Sequence, residues 1–288
     1  MKVESPIISD GLDAYFCLMD QAPVVGDSIF KNSQAKERHE SVLMYAFRKY
    51  QAANYHFDRV IQLSEEESSN IATTNSLDTR ISQLAESSIR VSVRKSADKF
   101  IYELSAFLQA VKSSLDFLTT ALAVYIKGVQ ADSIKTFISL VENSREGPIF
   151  RIVKPNLPWL SQLRDYRHHL VHRMVITSET VHGISTFGDK ICQFKYPIVI
   201  PIATPCYFPD TRISRMMNDE VNGLDFASVN GWITYPDGTQ EVLEFSEEYS
   251  PAKGYVEITE FMTSNLLNLE NFFCDILEDA KTLNFRMF

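Results

Sequence analysis

The chain has 288 residues, 45% apolar, 11% aromatic and 23% charged, which is too hydrophobic for intrinsic disorder. Its formal charge of -9 excludes a whole-molecule field that gathers nucleic acid, so any nucleic-acid site has to be a local basic island. Cys17, Cys192, Cys206 and Cys274 form no C-x-x-C pair, which argues against a disulfide framework and against a thiolate zinc site. No apolar run reaches the roughly 18 residues of a bilayer span, and the opening MKVESPIISDG carries no targeting pattern, so the expectation is a soluble, cytoplasmic protein with no membrane contact.

Residues 1–33 read as an N-terminal arm. From Gln34 to Glu66, Val42, Leu43, Ala46, Phe47, Tyr50, Ala53, Phe57, Val60 and Ile61 recur at steps of three and four, the pattern of a long amphipathic helix. A Ser/Thr/Asn-rich loop is expected around Ser68–Ser76, and Arg80–Lys95 receives no assignment. The clearest helix runs from Asp98 to Lys127 on Ile101, Leu104, Leu108, Val111, Leu115, Leu118, Leu122 and Tyr125. Asp132 is the expected N-cap of a shorter helix ending before Gly147-Pro148, and Pro158 is expected to open another that reaches Met174.

The period then changes. Six of the ten glycines lie between residues 183 and 254, and Val175–Thr186, Ile191–Ile202 and Val229–Phe245 are rich in β-branched and aromatic residues. Tyr235-Pro236-Asp237-Gly238 marks a hairpin between two alternating runs. After Gly254 the helical period returns with Phe261, Leu266, Leu269, Phe272, Phe273, Ile276 and Leu277. The predicted fold class is mainly α (α+β overall), with a helical bundle over residues 34–175 and 255–288 and a β-rich insertion over 176–254 ahead of the last helix.

Three of the six histidines fall within Arg164-Asp165-Tyr166-Arg167-His168-His169-Leu170-Val171-His172-Arg173. On an ideal helix Leu160, Leu163, Leu170, Val171 and Met174 lie within about 60° of Arg167, which predicts that Arg167 sits inside the buried stripe. A guanidinium cannot shed its proton, so such a place demands a carboxylate, a bound anion or a wet cleft; Asp116 is the candidate carboxylate for a purely structural pair. Between Arg145 and Arg173 six cations (Arg145, Arg151, Lys154, Arg164, Arg167, Arg173) face two acids (Glu146, Asp165), a landing place for a phosphate backbone.

Arg167-His168-x-x-x-His172 resembles the R-x4-6-H motif of HEPN domains, all-α bundles found in RNases of toxin–antitoxin, abortive-infection and CRISPR-associated systems. Arg164-Asp165-x-x-x-His169 fits the same spacing, and both registers stand open; the first lies nearer the packed seam. The resemblance implies a metal-independent endoribonuclease of the defence or toxin type without a cofactor. His172 would move the proton of the 2′-hydroxyl or leaving 5′-oxygen, Arg167 would hold the scissile phosphate, and His168 would orient the pair. Arg164 and Arg173 would bind flanking phosphates, with His169, Lys154 and Arg151 completing the RNA contact. Two protomers would form the composite site, leaving 2′,3′-cyclic phosphate ends, and an antitoxin or other protein is a further expected partner.

Two other readings carry weight. His168 and His172, at i and i+4, have the spacing of zinc ligands, yet a third ligand is missing and Arg164, Arg167 and Arg173 would repel a cation. A non-catalytic HEPN-like scaffold for RNA, nucleotide or protein binding is the alternative to an enzyme.

Overall fold

The computed structural model describes residues 33–72, 90–123, 129–144, 146–172, 179–187, 190–202, 224–234 and 236–282. Among these the fold is mainly helical with small antiparallel sheets. The helices are α1 (Ser33–Ala72), α2 (Asp98–Ala123), α3 (Ile134–Glu142), α4 (Pro148–His172) and α5 (Ile258–Thr282). The strands are β1 (Arg90–Ser96), β2 (Glu179–Phe187), β3 (Lys190–Lys195), β4 (Val199–Pro201), β5 (Leu224–Thr234), β6 (Gln240–Pro251) and β7 (Tyr255–Glu257). No helix among the described residues is long and apolar enough to cross a membrane.

The chain forms two compact units. One comprises residues up to Phe57, Ser105–Arg173 and Met262 onward; the other comprises Asp58–Leu104 and Met174–Phe261. The first is a helical bundle. Its core stacks Leu43, Ala46, Tyr50 and Ala53 of α1, Phe107, Leu108, Val111, Leu115 and Leu118 of α2, and Leu266, Leu269 and Phe272 of α5, all buried. Steps of three and four put these residues on single stripes, and each fully buried large side chain contributes roughly 2 kcal/mol. Polar contacts fix the register: Ser114 Oγ donates to the Ala46 carbonyl at 2.8 Å, Tyr50 Oη to Glu270 Oε1 at 3.5 Å, and Trp159 Nε1 to Asn265 Oδ1 at 3.0 Å.

α3 is capped differently from the sequence expectation. Ser133, not Asp132, occupies the N-cap and makes no side-chain cap bond. The Ile134 N–H instead donates to Asp116 Oδ1 of α2 at 3.0 Å, so a neighbouring helix satisfies this first-turn donor.

α4 also departs from expectation. It begins at Pro148, not near Pro158, and carries Pro155 and Pro158 inside it. Ile149, Phe150, Ile152 and Val153 are buried and Phe150 packs edge-on against Phe137 of α3 at 5.9 Å, so tertiary burial extends the helix through two residues that lack an N–H. Asn156 Nδ2 donates to the Ile152 carbonyl at 2.9 Å, a side-chain bond across the turn that contains Pro155.

In the second unit β1, β2 and β3 form an antiparallel sheet in that order, with Val93 opposite His182 and Ile184 opposite Gln193. β1 lies in the stretch the sequence left unassigned. The expected single run Ile191–Ile202 is divided into β3 and β4 at Tyr196-Pro197-Ile198, where Pro197 has no N–H for a ladder. β4 pairs with β7, and Ile258 N–H donates to the Ile198 carbonyl at 2.9 Å where α5 begins. β5 and β6 form the expected hairpin, with an irregularity between Gly231 and Trp232. In its turn Asp237 Oδ1 accepts from the Thr239 N–H at 2.9 Å and from Thr239 Oγ1 at 2.6 Å.

Candidate functional site

α2 and α4 bring Gln109 and Arg167 together in the first unit. Arg167 Nε donates to Gln109 Oε1 at 2.8 Å, and Nη2 donates to the same oxygen. Two of the five guanidinium donors are thus held by a neutral amide. Among the described residues no carboxylate forms an ion pair with Arg167.

This corrects two sequence expectations. Arg167 is half-buried, not inside the buried stripe. The buried residues at the end of α4 are Leu160, Leu163 and Tyr166, each three apart, and every such step turns the stripe back by about 60°. The stripe therefore reaches Tyr166, wholly buried with its phenol pushed up by desolvation, and leaves Arg167 at the rim. Asp116 is not its partner either. Asp116 Oδ2 pairs with Lys112, one turn away on α2, and Oδ1 caps α3.

The other predicted residues are distributed along α4. Arg151, Lys154 and His168 are exposed. Arg164 is half-buried and its Nε pairs with Asp165 Oδ1 at 2.9 Å, so a neighbouring carboxylate offsets its charge. His172 is the last residue of α4 and His169 lies within it, but their side chains, like Arg173 and Arg145, fall outside the described residues. Arg167 is consequently the predicted phosphate ligand whose surroundings are best defined: a cation held by a neutral amide, with the exposed His168 as the next residue of α4. Such a group recognises a phosphate oxygen and stabilises added negative charge on it.

Gln109 was missed by sequence reading. A lone glutamine on an exposed helix position carries no local signal, and only the α2–α4 pairing reveals its contact with Arg167.

The second unit contains a separate cavity of about 290 Å³, lined by residues of α1, α2, β3, β6, β7 and the start of α5. Lys195 Nζ donates there to Ser64 Oγ at 3.0 Å and to the Ser64 carbonyl at 3.2 Å. Burial lowers the Lys195 pKa, while Glu67 and Glu257 oppose that shift. The Tyr196 and Tyr249 rings stand 4.2 Å apart on one wall. Comparison of the chain with protein-family models, curated proteins and solved structures finds no match.

Proposed function

We propose that the chain is a metal-independent endoribonuclease of the defence or toxin type, working as a homodimer in which α4 of each protomer supplies Arg167 and His172. The observation that supports this reading is the Arg167 guanidinium, positioned by the neutral Gln109 amide and paired with no described carboxylate. A purely structural arginine in a helical bundle gains most from a carboxylate partner; one meant for a phosphate has to keep its charge.

In this mechanism His172 takes the proton from a ribose 2′-hydroxyl, the 2′-oxygen attacks phosphorus, and the bond to the 5′-oxygen breaks. The leaving oxygen gains a proton from an imidazolium, supplied by the second protomer or by His172 itself. Arg167 binds the non-bridging oxygens, whose charge grows in the transition state. His168 orients the pair, and Arg151, Lys154, Arg164, His169 and Arg173 contact flanking RNA. The products are a 2′,3′-cyclic phosphate and a 5′-hydroxyl.

The test incubates a mixed-sequence RNA in excess EDTA with wild type, His172→Ala and Arg167→Ala, and reads product ends by mass spectrometry. Cyclic-phosphate fragments from wild type alone are expected. Intact RNA with all three proteins folded and dimeric would overturn the catalytic reading and leave a non-catalytic binding module.

A further inference from the structure

We infer that the outward face of α1 between Arg38 and Tyr55 is a docking surface for single-stranded nucleic acid. It extends the ribonuclease reading to the path of the substrate, on residues that reading does not use.

From Arg38 to Tyr55 the exposed charged side chains are Arg38, Arg48 and Lys49, all cationic in a chain whose total charge is -9, and one exposed acid, Glu37, bounds the stretch at its N-terminal edge about 100° round the helix from Arg38. The acid on the same stretch, Glu40, is half-buried and lies about 200° round an ideal helix from Arg38. Tyr45 and Tyr55 lie among the cations, 48% and 60% exposed, which is a large aromatic area to leave in water on a helix whose opposite side is fully packed. At about 100° per residue all five side chains fall within an arc of about 120°, while Leu43, Ala46, Phe47, Tyr50 and Ala53 occupy the buried side. The tyrosines and cations therefore form one face.

Both rings are already supported. Tyr45 leans on Phe117 of α2 with centroids 5.5 Å apart, and the His56 ring stands edge-on to Tyr55 at 5.3 Å. A ring held in place loses little further freedom when a base stacks on it. Alternating cations and aromatic platforms are the two components of sequence-tolerant single-strand binding.

The surface also has an end. Beyond it, Asp58, Glu65 and Glu66 are exposed on the same helix and would repel a phosphate backbone. From Arg38 to Tyr55 the helix spans about 25 Å, which suits the short end of known single-strand footprints, about four nucleotides. Phe117, against which Tyr45 packs, and Gln109, which holds Arg167, are eight residues apart on α2, about 12 Å of helix. α2 thus ties the stacking platform to the guanidinium.

The test measures anisotropy of a fluorescein-labelled oligothymidylate, which lacks the 2′-hydroxyl and cannot be cleaved, against the full chain as wild type, Arg48→Glu/Lys49→Glu and Tyr45→Ala/Tyr55→Ala over a salt series. Wild type is expected to bind, with log K falling linearly in log salt. The charge variant should bind at least roughly tenfold more weakly and flatten that slope by about 1.4. The tyrosine variant should lose roughly 5- to 100-fold per ring at an unchanged slope. Circular dichroism and Arg48→Gln/Lys49→Gln control for folding. Absent wild-type binding, or charge variants that bind like wild type, would overturn the inference; so would a changed oligomeric state with unchanged DNA binding, which would assign the face to a second copy. Intact RNA in the cleavage assay leaves this result untouched, so the two readings fail separately.

Discussion

Arg167 Nε donates to Gln109 Oε1 at 2.8 Å, which joins α4 to α2 through an acceptor that takes none of the guanidinium's charge. Gln109→Glu would turn this bond into a partly exposed ion pair. The expected gain in stability is at most about 1 kcal/mol, because solvent screens such pairs. The expected loss in kcat/KM for RNA is roughly tenfold or more, because the paired guanidinium no longer offers a full charge to phosphate. Gln109→Ala keeps the charge and loosens only the positioning, so it should lose less. Single-turnover cleavage with urea midpoints for both variants checks this order, and Gln109→Ala proving the worse enzyme would remove charge conservation as the reason for the glutamine.

Asp116 serves a different purpose. Its Oδ1 accepts from the Ile134 N–H at 3.0 Å and its Oδ2 pairs with Lys112, both in the first unit. Asp116→Ala strips α3 of this cap and is expected to cost about 1–2 kcal/mol in urea unfolding. Asp116→Asn keeps the acceptor and should cost less than half of that. RNA cleavage per folded molecule is expected to be unchanged in both, and an activity loss that tracks the loss of charge at Asp116 would return it to partnership with Arg167.

The helices with strong periodicity were legible because burial decides them: α1, α2 and α5 follow the apolar residues at steps of three and four. α4 was read late by about ten residues because Pro155 and Pro158 signal a boundary locally, and the packing of Ile149, Phe150, Ile152 and Val153 that overrides them is non-local. The placing of Arg167 failed for a related reason. An ideal wheel averages over the helix, whereas Leu160, Leu163 and Tyr166 turn the stripe within its last turns. β1 alternates only through Val91 and Val93, too short a pattern to stand out, and its pairing with β2 joins residues about ninety apart, as Arg90 opposite Ser185 shows. Of the candidate site, the sequence exposed the cations and histidines but not the Gln109 contact, which depends on how two helices meet.

Gly238 closes the β5–β6 hairpin at φ +84°, and a Cβ built there meets nothing within 4 Å. Any penalty for a side chain is therefore backbone strain alone. Gly238→Ala is expected to cost about 1–2 kcal/mol, and Gly238→Asn noticeably less, since asparagine tolerates the left-handed region. Urea unfolding of the full chain distinguishes the two. Equal costs for Ala and Asn would mean that the turn relaxes on substitution.

His39, buried on α1, has its pKa lowered by desolvation to about 4 from an ordinary 6.5. The unfolded chain accepts the proton first as pH falls, because its imidazole titrates near 6.5 while the folded one stays neutral to about 4. Between those values the unfolded state binds more protons, so stability rises with pH there and is lost as pH drops through the same window. The contribution is fully present above about pH 7 and declines by about 2 kcal/mol on reaching about pH 4.5. Carboxylates titrate near the bottom of this window, so the comparison has to be with His39→Gln, which keeps a polar side chain and cannot charge. The difference between urea-derived stabilities at about pH 7.5 and about pH 4.5 should shrink by that amount in His39→Gln. An identical pH dependence in the two proteins would mean that His39 takes up its proton in the folded state as readily as in the unfolded one, and that burial on α1 does not hold it neutral.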